Sequence, residues 1–230
     1  MSAFFANIQV RSDDRDAVAA AVDALLAQAG YAPEPEAFGG DRSIYIGPAV
    51  NGWIGVYDSA CDGSSIGPLA WLAQGLSSRL GSVTLAWLVH DSALLVYLLF
   101  DQGEVADRYV SHPNYLQPAR PAQPSTRRPP AGPLGGDGAR LLEVAGVPGE
   151  GRTITRWLRR PEPFAQTTLR RVAGALGQRY ADLGHEEIEA DQLAETHLED
   201  PAAFDRREYV RHETGPADTG RSPRPPGAAR

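Results

Sequence analysis

Apolar and polar residues follow the two periods that distinguish strands from helices. Residues 4–10 are rich in aromatic and β-branched side chains, which predicts a strand. After Asp13 and Asp14 the apolar residues recur at helical spacing, which predicts a helix. These apolar residues are Val18, Val22, Leu25, Leu26 and Ala29. Either aspartate can cap the beginning of this helix, and Gly30 can end it.

Alternating predicted strands and helices continue as far as residue 110. Residues 43–46 and 53–57 predict a hairpin, because Pro, Asn and Gly lie between the two runs. A second helix follows, with Pro68 in its first turn and Gly81 after its end. Its apolar face carries Leu69, Leu72, Leu76 and Leu80. Three further strands at 83–89, 94–100 and 105–110 predict a meander.

The order of these elements predicts an α+β protein with a ferredoxin-like βαββαβ unit and an extended antiparallel sheet. Both helices of that unit are expected on one face of the sheet. The strands at 83–89 and 94–100 are apolar on both faces, as is typical of interior strands covered on both sides. The C-terminal half is the candidate cover for the second face.

The chain is predicted to have four parts. Residues 1–116 form the sheet domain, and the many prolines of 117–136 predict a linker that forms neither a helix nor a sheet. Residues 137–213 are expected to be mainly helical, with helices at 139–145, 153–158, 164–180 and 186–198. The last segment, 214–230, lacks apolar residues that could anchor it and is predicted to be disordered.

Cysteine content and apolar runs favour a cytoplasmic protein that does not contact a membrane. The one cysteine, Cys61, cannot form an internal disulfide, which fits a reducing compartment. Residues 1–10 lack the basic region of a signal peptide. The apolar stretch 82–100 has His90, Asp91 and Ser92 at its middle, where an Asp would cost about 2.5–3.5 kcal/mol in a membrane helix. This stretch is therefore interpreted as two strands and a turn.

Charge is unevenly distributed along the chain. All 22 basic residues are arginine, which indicates a GC-rich genome rather than a function. Residues 1–115 carry a net charge of −8, residues 116–182 of +6 and residues 183–230 of −5. The acidic first part argues against a nucleic-acid partner. The arginines within 152–171 could bind nucleic acid or an acidic partner, but pairing with the acidic first half of the same chain is the preferred interpretation.

Three segments carry a resemblance to a known family. They are Gly52-Trp53-Ile54-Gly55-Val56-Tyr57-Asp58, Leu88-Val89-His90-Asp91-Ser92, and Asp107-Arg108-Tyr109-Val110-Ser111 followed by Pro113 and Tyr115. Over residues 1–115 the chain resembles a family of uncharacterised bacterial proteins. The resemblance implies one structural unit and carries no activity.

Candidate chemical groups are expected to gather at one end of the sheet. In the predicted fold the third, fourth and sixth strands run in the same direction, so their C-terminal ends share one end of the sheet. The side chains that follow those ends are Asp58, Cys61, Asp62, His90, Asp91, Ser111, His112 and Tyr115. We therefore treat these residues as candidate binding residues.

Two kinds of interpretation remain open for this cluster. Cys61 could act as a nucleophile with His90 as its base, or His90, Asp91, His112 and Asp58 could hold a metal. The preferred alternative is that His90-Asp91-Ser92 is a tight hairpin turn, because Asp and Ser favour turns. Cys61, His90 and Asp91 are therefore only candidate catalytic residues, and no cofactor or metal is expected.

Two other features are assigned structural roles. Residues 135–138 (GGDG) could offer amides to an anion, but a flexible helix entry is preferred because no lysine follows. Phe4, Phe5, Trp53 and Tyr57 could form a stacking platform for RNA, but without a basic surface they are expected to be core residues.

The function expected from these observations is a non-catalytic protein-binding module, of the inhibitor, immunity or regulatory kind. It rests on the acidic charge, which would steer a basic partner, and on the lack of a catalytic motif. The alternatives are an enzyme of unknown class that uses Cys61, His90 and Asp91, and a small-molecule sensor.

Overall fold

The structure is a computed structural model that describes residues 3–34, 40–62, 66–115, 132–194, 200 and 203–211. Within these residues the chain forms an α+β fold with a large antiparallel sheet, which confirms the α+β part of the prediction. The elements are β1 (Phe5–Arg11), α1 (Arg15–Gln28), β2 (Tyr31–Pro33), β3 (Arg42–Ile46), β4 (Trp53–Asp58), α2 (Ile66–Leu80), β5 (Val83–His90), β6 (Leu94–Asp101), β7 (Glu104–Val110), β8 (Leu134–Gly135), α3 (Gly138–Ala145), α4 (Gly151–Arg159), α5 (Ala165–Ala175), α6 (His185–Ala194) and β9 (Asp205–Arg211).

In the part of the chain that the structure describes, all nine strands lie in one sheet, in the order β2-β9-β3-β4-β1-β5-β6-β7-β8. Every neighbouring pair is antiparallel. Strand β1 is central, with β4 on one side and β5 on the other. Strands β4, β5 and β7 consequently run in the same direction, and their C-terminal ends lie at one end of the sheet.

The first face of the sheet is covered by α1 and α2. Asp14 caps α1 by accepting a hydrogen bond from the Ala17 amide at 2.9 Å, and Gly30 has a φ of 84° just after the helix. The periodic residues Val18 and Val22 of α1 and Leu72 of α2 are fully buried. They pack on one side of the central strands, so one hydrophobic core holds both helices against the sheet.

The second face is covered by α3, α4 and α5. A second core joins the opposite side of β5 and β6 to these helices. Its buried residues include Leu85, Trp87, Leu95, Tyr97, Leu141, Leu158, Leu169 and Val172. The aromatic polar atoms at this interface are satisfied, since Trp53 Nε1 donates to the Leu176 carbonyl at 3.0 Å and Tyr109 Oη to the Leu158 carbonyl at 2.8 Å.

Three strands depart from the predicted organisation. β8 lies within the segment interpreted as a linker, and β9 lies within the segment expected to be mainly helical. β9 is inserted between β2 and β3, where Ser43 is paired with Glu208 and Ala32 with Val210. The short β2 was not predicted either. The predicted tail, 214–230, and most of the linker lie outside the described residues.

Charged residues fix β9 to the first helix. Arg207 Nη1 donates to Asp23 of α1 at 2.7 Å, and the hydroxyl of Tyr209 donates to the other oxygen of Asp23 at 2.7 Å. Tyr209 itself is buried in the first core. The strand is thus held by contacts on the α1 face as well as by its two neighbours in the sheet. None of the helices in the described residues is long and apolar enough to cross a membrane.

Candidate functional site

The predicted sheet-end residues separate into distinct groups. Asp58 and Cys61 form a buried group with Arg42. Asp62 lies between β1 and α6. The remaining residues gather around the β5–β6 turn and the end of β7; they are His90, Asp91, Ser111, His112 and Tyr115.

The Asp58 group is a buried ion pair. Arg42 Nε donates to Asp58 Oδ1 at 2.8 Å, its Nη2 donates to Oδ2, and the two side chains are only 7% and 1% exposed. The guanidinium carbon of Arg42 also lies 5.5 Å from the centre of the Tyr31 ring and 5.8 Å from that of Trp71. Asp58 is therefore committed to holding Arg42.

Cys61 belongs to the same buried network. Its thiol donates to Asp58 Oδ2 at 3.3 Å, and the residue is buried in the first core. Burial, and next the negative charge of Asp58, raise the pKa of the Cys61 thiol well above its usual value. Because the thiolate is the nucleophilic form, this environment disfavours nucleophilic chemistry at Cys61.

The His90 segment forms the tight turn that was the preferred interpretation. Asp91 and Ser92 have φ angles of 53° and 52°, and the Ala93 amide donates to the His90 carbonyl at 3.1 Å. The His90 ring packs edge-on against Phe4 and Tyr115, with centroids 4.9 and 5.6 Å apart. His90 therefore contacts aromatic rings, whereas Cys61 contacts Asp58.

The other members of the His90 group also make structural contacts. The Tyr115 hydroxyl donates to Asp91 Oδ2 at 2.7 Å. Ser111 Oγ accepts from the Leu95 amide at 2.9 Å and lies 3.0 Å from His112 Nδ1. Ser111 thus joins the end of β7 to β6. In the part of the chain that the structure describes, no group of three or more His, Cys, Asp or Glu side chains could hold a metal ion.

Asp62 joins the sheet to α6. Its Oδ1 accepts from the Ala6 amide at 3.2 Å and its Oδ2 from the Glu186 amide at 3.0 Å, at the beginning of the helix. Burial raises the pKa of Asp62 to about 7, with smaller contributions from the charges of Glu187 and Glu186, against the lowering effect of the two amides. Asp62 is thus a partly buried acid whose pKa lies near neutral pH.

A cavity of about 480 Å³ opens beside Asp62, between the beginning of α6 and the strands β3 and β9. Its charged lining consists of Asp41, Asp62, Glu186, Glu189, Glu208 and Arg206. Arg206 donates to Glu208 Oε1 at 2.7 Å and contacts Glu189 Oε1 at 3.4 Å. Carboxylates therefore outnumber the cation, and the cavity, which we call the acidic cavity, suits a positively charged group.

The acidic cavity also contains a serine and a histidine in contact. Ser43 Oγ lies 2.6 Å from His185 Nε2, and both side chains line the cavity. The His185 ring lies 4.9 Å from the Tyr45 ring, and burial lowers the pKa of His185. Among the predicted site residues only Asp62 lines this cavity. The sequence gives no local signal for it, because its walls come from segments 142 residues apart.

The arginines of the C-terminal half pair differently from the prediction. Arg170 Nε donates to Asp182 Oδ2 at 2.6 Å, and Arg171 donates to Glu162. Both acids belong to the C-terminal half, so the expected pairing with the acidic first half was wrong for these two arginines. The α4–α5 region neutralises part of its charge locally.

The GGDG segment and most of the sheet aromatics make contacts within the folded chain. Asp137 caps α3, and its own amide donates to Asp107 Oδ2 at 2.8 Å. That amide is thus occupied by a carboxylate of the same chain. Phe5, Trp53 and Tyr57 are buried core residues, as expected. Phe4 is 45% exposed, so the expectation of a core position was wrong for this residue. Comparison with protein-family models, with curated proteins and with solved structures found no match to the chain.

Proposed function

We propose that this protein is a bacterial, cytoplasmic protein-binding module of the inhibitor, immunity or regulatory kind, and that the acidic cavity receives a basic side chain of its partner. The observation that carries the proposal is the excess of carboxylates over cations in the lining of that cavity. Because charges of one sign in a concave surface focus the field, such a cavity attracts an Arg or Lys side chain.

The framework of the cavity supports a recognition role. Ser43 is held by the β3–β4 pair, since its amide donates to Ser59 Oγ at 3.0 Å. The opposite wall is the beginning of α6, which Asp62 ties to β1. Both walls are thus fixed before a partner arrives, which reduces the entropic cost of binding.

The proposal includes the finer architecture of the first half. We infer a ferredoxin-like unit formed by β1, α1, β3, β4, α2 and β5, in line with the resemblance of residues 1–115 to uncharacterised bacterial proteins. The strand order β3-β4-β1-β5 and the packing of α1 and α2 on one face support it. In this arrangement α6 and β9 add the cavity to the edge of the unit.

The test begins with capture of partners from the host by the tagged protein at ~50 mM and ~300 mM salt, since screening weakens attraction between exposed charges. The captured partner is then titrated calorimetrically with the purified protein and with a Glu186→Gln/Glu189→Gln double variant. We expect roughly 10-fold weaker binding for the variant, because two ion pairs of about 1 kcal/mol or less are lost.

The matched control is Asp13→Asn/Asp16→Asn, which changes the net charge equally at two exposed residues beside and within the first turn of α1. This control should bind almost as the natural protein does. Equal weakening by both double variants would show that only net charge matters. Unchanged binding by the Glu186→Gln/Glu189→Gln variant would refute the acidic cavity as the docking site.

A further inference from the structure

The acidic cavity contains the geometry of a nucleophile and its base. Ser43 Oγ lies 2.6 Å from His185 Nε2, a distance at which a hydroxyl proton can pass to the imidazole. Ser43 is 9% exposed and His185 is 3% exposed, yet both line a cavity of about 480 Å³. The pair is thus shielded from bulk water on one side and open to a small ligand on the other.

The surrounding structure holds Ser43 in place. Its neighbour Arg42 points to the first face of the sheet, where it pairs with Asp58, while the alternation of the strand directs Ser43 to the second face. The Ser43 amide donates to Ser59 Oγ at 3.0 Å, and the Ser59 amide donates to the Ser43 carbonyl at 3.0 Å. Both backbone groups of Ser43 are occupied, which leaves its hydroxyl to His185.

His185 is held equally well. It is the first residue of α6, and the next amide along the helix donates to Asp62. Its ring packs at 4.9 Å from the ring of Tyr45, which is fully buried. Burial lowers the pKa of His185, so the neutral imidazole that can accept a proton predominates at neutral pH.

We propose that Ser43 is a nucleophile and His185 its general base, and that the pair hydrolyses small esters whose alcohol carries a positive charge. The cationic substrate class follows from the carboxylates of the cavity, Glu186 and Glu189 among them. Arg206 adds one positive charge to the same lining, where it pairs with Glu208 and Glu189. This activity goes beyond the binding role and requires no partner protein.

The reaction balances without an oxidant or a metal. Ser43 Oγ bonds to the acyl carbon as its proton passes to His185 Nε2, the bond from that carbon to the alcohol oxygen breaks, and the alcohol leaves with the proton. Water then bonds to the acyl carbon while His185 Nε2 takes one of its protons. The bond to Ser43 Oγ breaks, and Ser43 regains the proton. One ester and one water give one acid and one alcohol.

The first experiment is covalent labelling of the full chain with a small, neutral fluorophosphonate, followed by peptide mass spectrometry. We expect one phosphonyl group on Ser43, with loss of fluoride. Ser43→Ala should abolish this labelling, and His185→Asn should slow it about 100-fold or more, as expected for loss of a general base. Ser78→Ala, a change at an exposed serine of α2, should leave it unchanged.

The second experiment compares the hydrolysis of acetylcholine with that of its uncharged analogue, 3,3-dimethylbutyl acetate. We expect kcat/KM to be roughly 10-fold higher for the charged ester, because opposite charges attract strongly where water is partly excluded. The pH dependence of the fluorophosphonate labelling rate of the wild-type protein tests the role of His185 even if a variant fails to fold. This labelling rate should rise to a plateau near neutral pH, as the imidazole loses its proton.

Three results would overturn the proposal. One is the absence of Ser43 labelling in the folded protein under conditions in which trypsin reacts completely. Another is an unchanged labelling rate in folded His185→Asn. The third is a rate that rises in proportion to hydroxide at every pH, which would indicate simple surface reactivity. Because labelling needs no partner, failure of the binding proposal would leave this test unaffected.

Discussion

Removing one partner of the buried pair of Arg42 and Asp58 should strongly destabilise the folded protein. We consider the variants Arg42→Met and Asp58→Asn, which each remove one charge and approximate the shape of the natural side chain. Both natural groups are almost fully buried, so either single change leaves the other charge without its partner. Breaking a buried pair in this way costs about 3–5 kcal/mol in free energy of unfolding.

The double variant distinguishes an uncompensated charge from a simple loss of packing. In Arg42→Met/Asp58→Asn neither charge remains, and the amide oxygen at position 58 can still accept from the Ala60 amide, which donates to Asp58 Oδ1 at 3.0 Å. The double variant should therefore lose much less than the sum of the two single losses. We expect a coupling free energy of about 2 kcal/mol or more.

The assay is equilibrium urea unfolding followed by tryptophan fluorescence, since Trp53 and Trp87 are buried and report loss of the core. Equal m-values across the four proteins are required before their free energies are compared. The control cycle is Arg140→Met with Glu143→Gln, a pair that is 3.2 Å apart but 45% and 71% exposed. Its coupling should stay below about 0.5 kcal/mol.

A loss of under about 1 kcal/mol in each single variant at Arg42 and Asp58 would contradict the importance of the buried pair, as would a coupling equal to that of the exposed control. In that case Asp58 would not be committed to Arg42, and its carboxylate would again be a candidate for chemistry at the end of β4.

The remaining predictions concern three other residues, Cys61, Asp62 and Leu158. Because Cys61 is buried, it should react with a thiol reagent only as fast as the protein unfolds. Equal reaction rates of Cys61 in the native protein and in ~6 M urea would contradict its burial. Because the folded-state pKa of Asp62, about 7, exceeds its usual 3.8, its stabilising contribution is complete below about pH 4. That contribution is lost as the pH rises through 7. Between pH 4 and 8 the free energy of unfolding of the natural protein should therefore fall by up to about 4 kcal/mol more than that of Asp62→Asn. Parallel pH curves for the two proteins would contradict this. Leu158→Ala should lower the free energy of unfolding by about 2–5 kcal/mol in the urea assay, because Leu158 is fully buried between α4 and the sheet. A loss below about 1 kcal/mol would contradict that packing.

Local patterns in the sequence predicted the elements whose own residues define them. Asp14 and Gly30 mark the ends of α1, and the apolar runs of β5 and β6 indicated interior strands. β9 could not be predicted in this way, since its sequence DRREYVR has little apolar periodicity. Its extended conformation depends on pairing with β2 and β3 and on Asp23 of α1, which are distant in sequence.

The candidate site shows the same limit of sequence reasoning. The direction of the strands was enough to place Asp58 and His90 at one end of the sheet, but it could not show that Asp58 is taken by Arg42. Ser43 and His185 carry no motif, because their contact arises only when α6 packs on β3. The sequence therefore placed these candidate residues at one end of the sheet but did not indicate the acidic cavity.

The position of β9 has a consequence for synthesis of the chain on the ribosome. Arg207 meets Asp23, a residue that emerges 184 positions earlier, so the sheet of the described residues cannot be completed until β9 has left the exit tunnel. Until then β3 presents an unpaired edge to other nascent chains, and such edges promote aggregation. Release of residues 205–211 is thus the step that closes the edge and, with it, assembles the wall of the acidic cavity that carries Arg206 and Glu208.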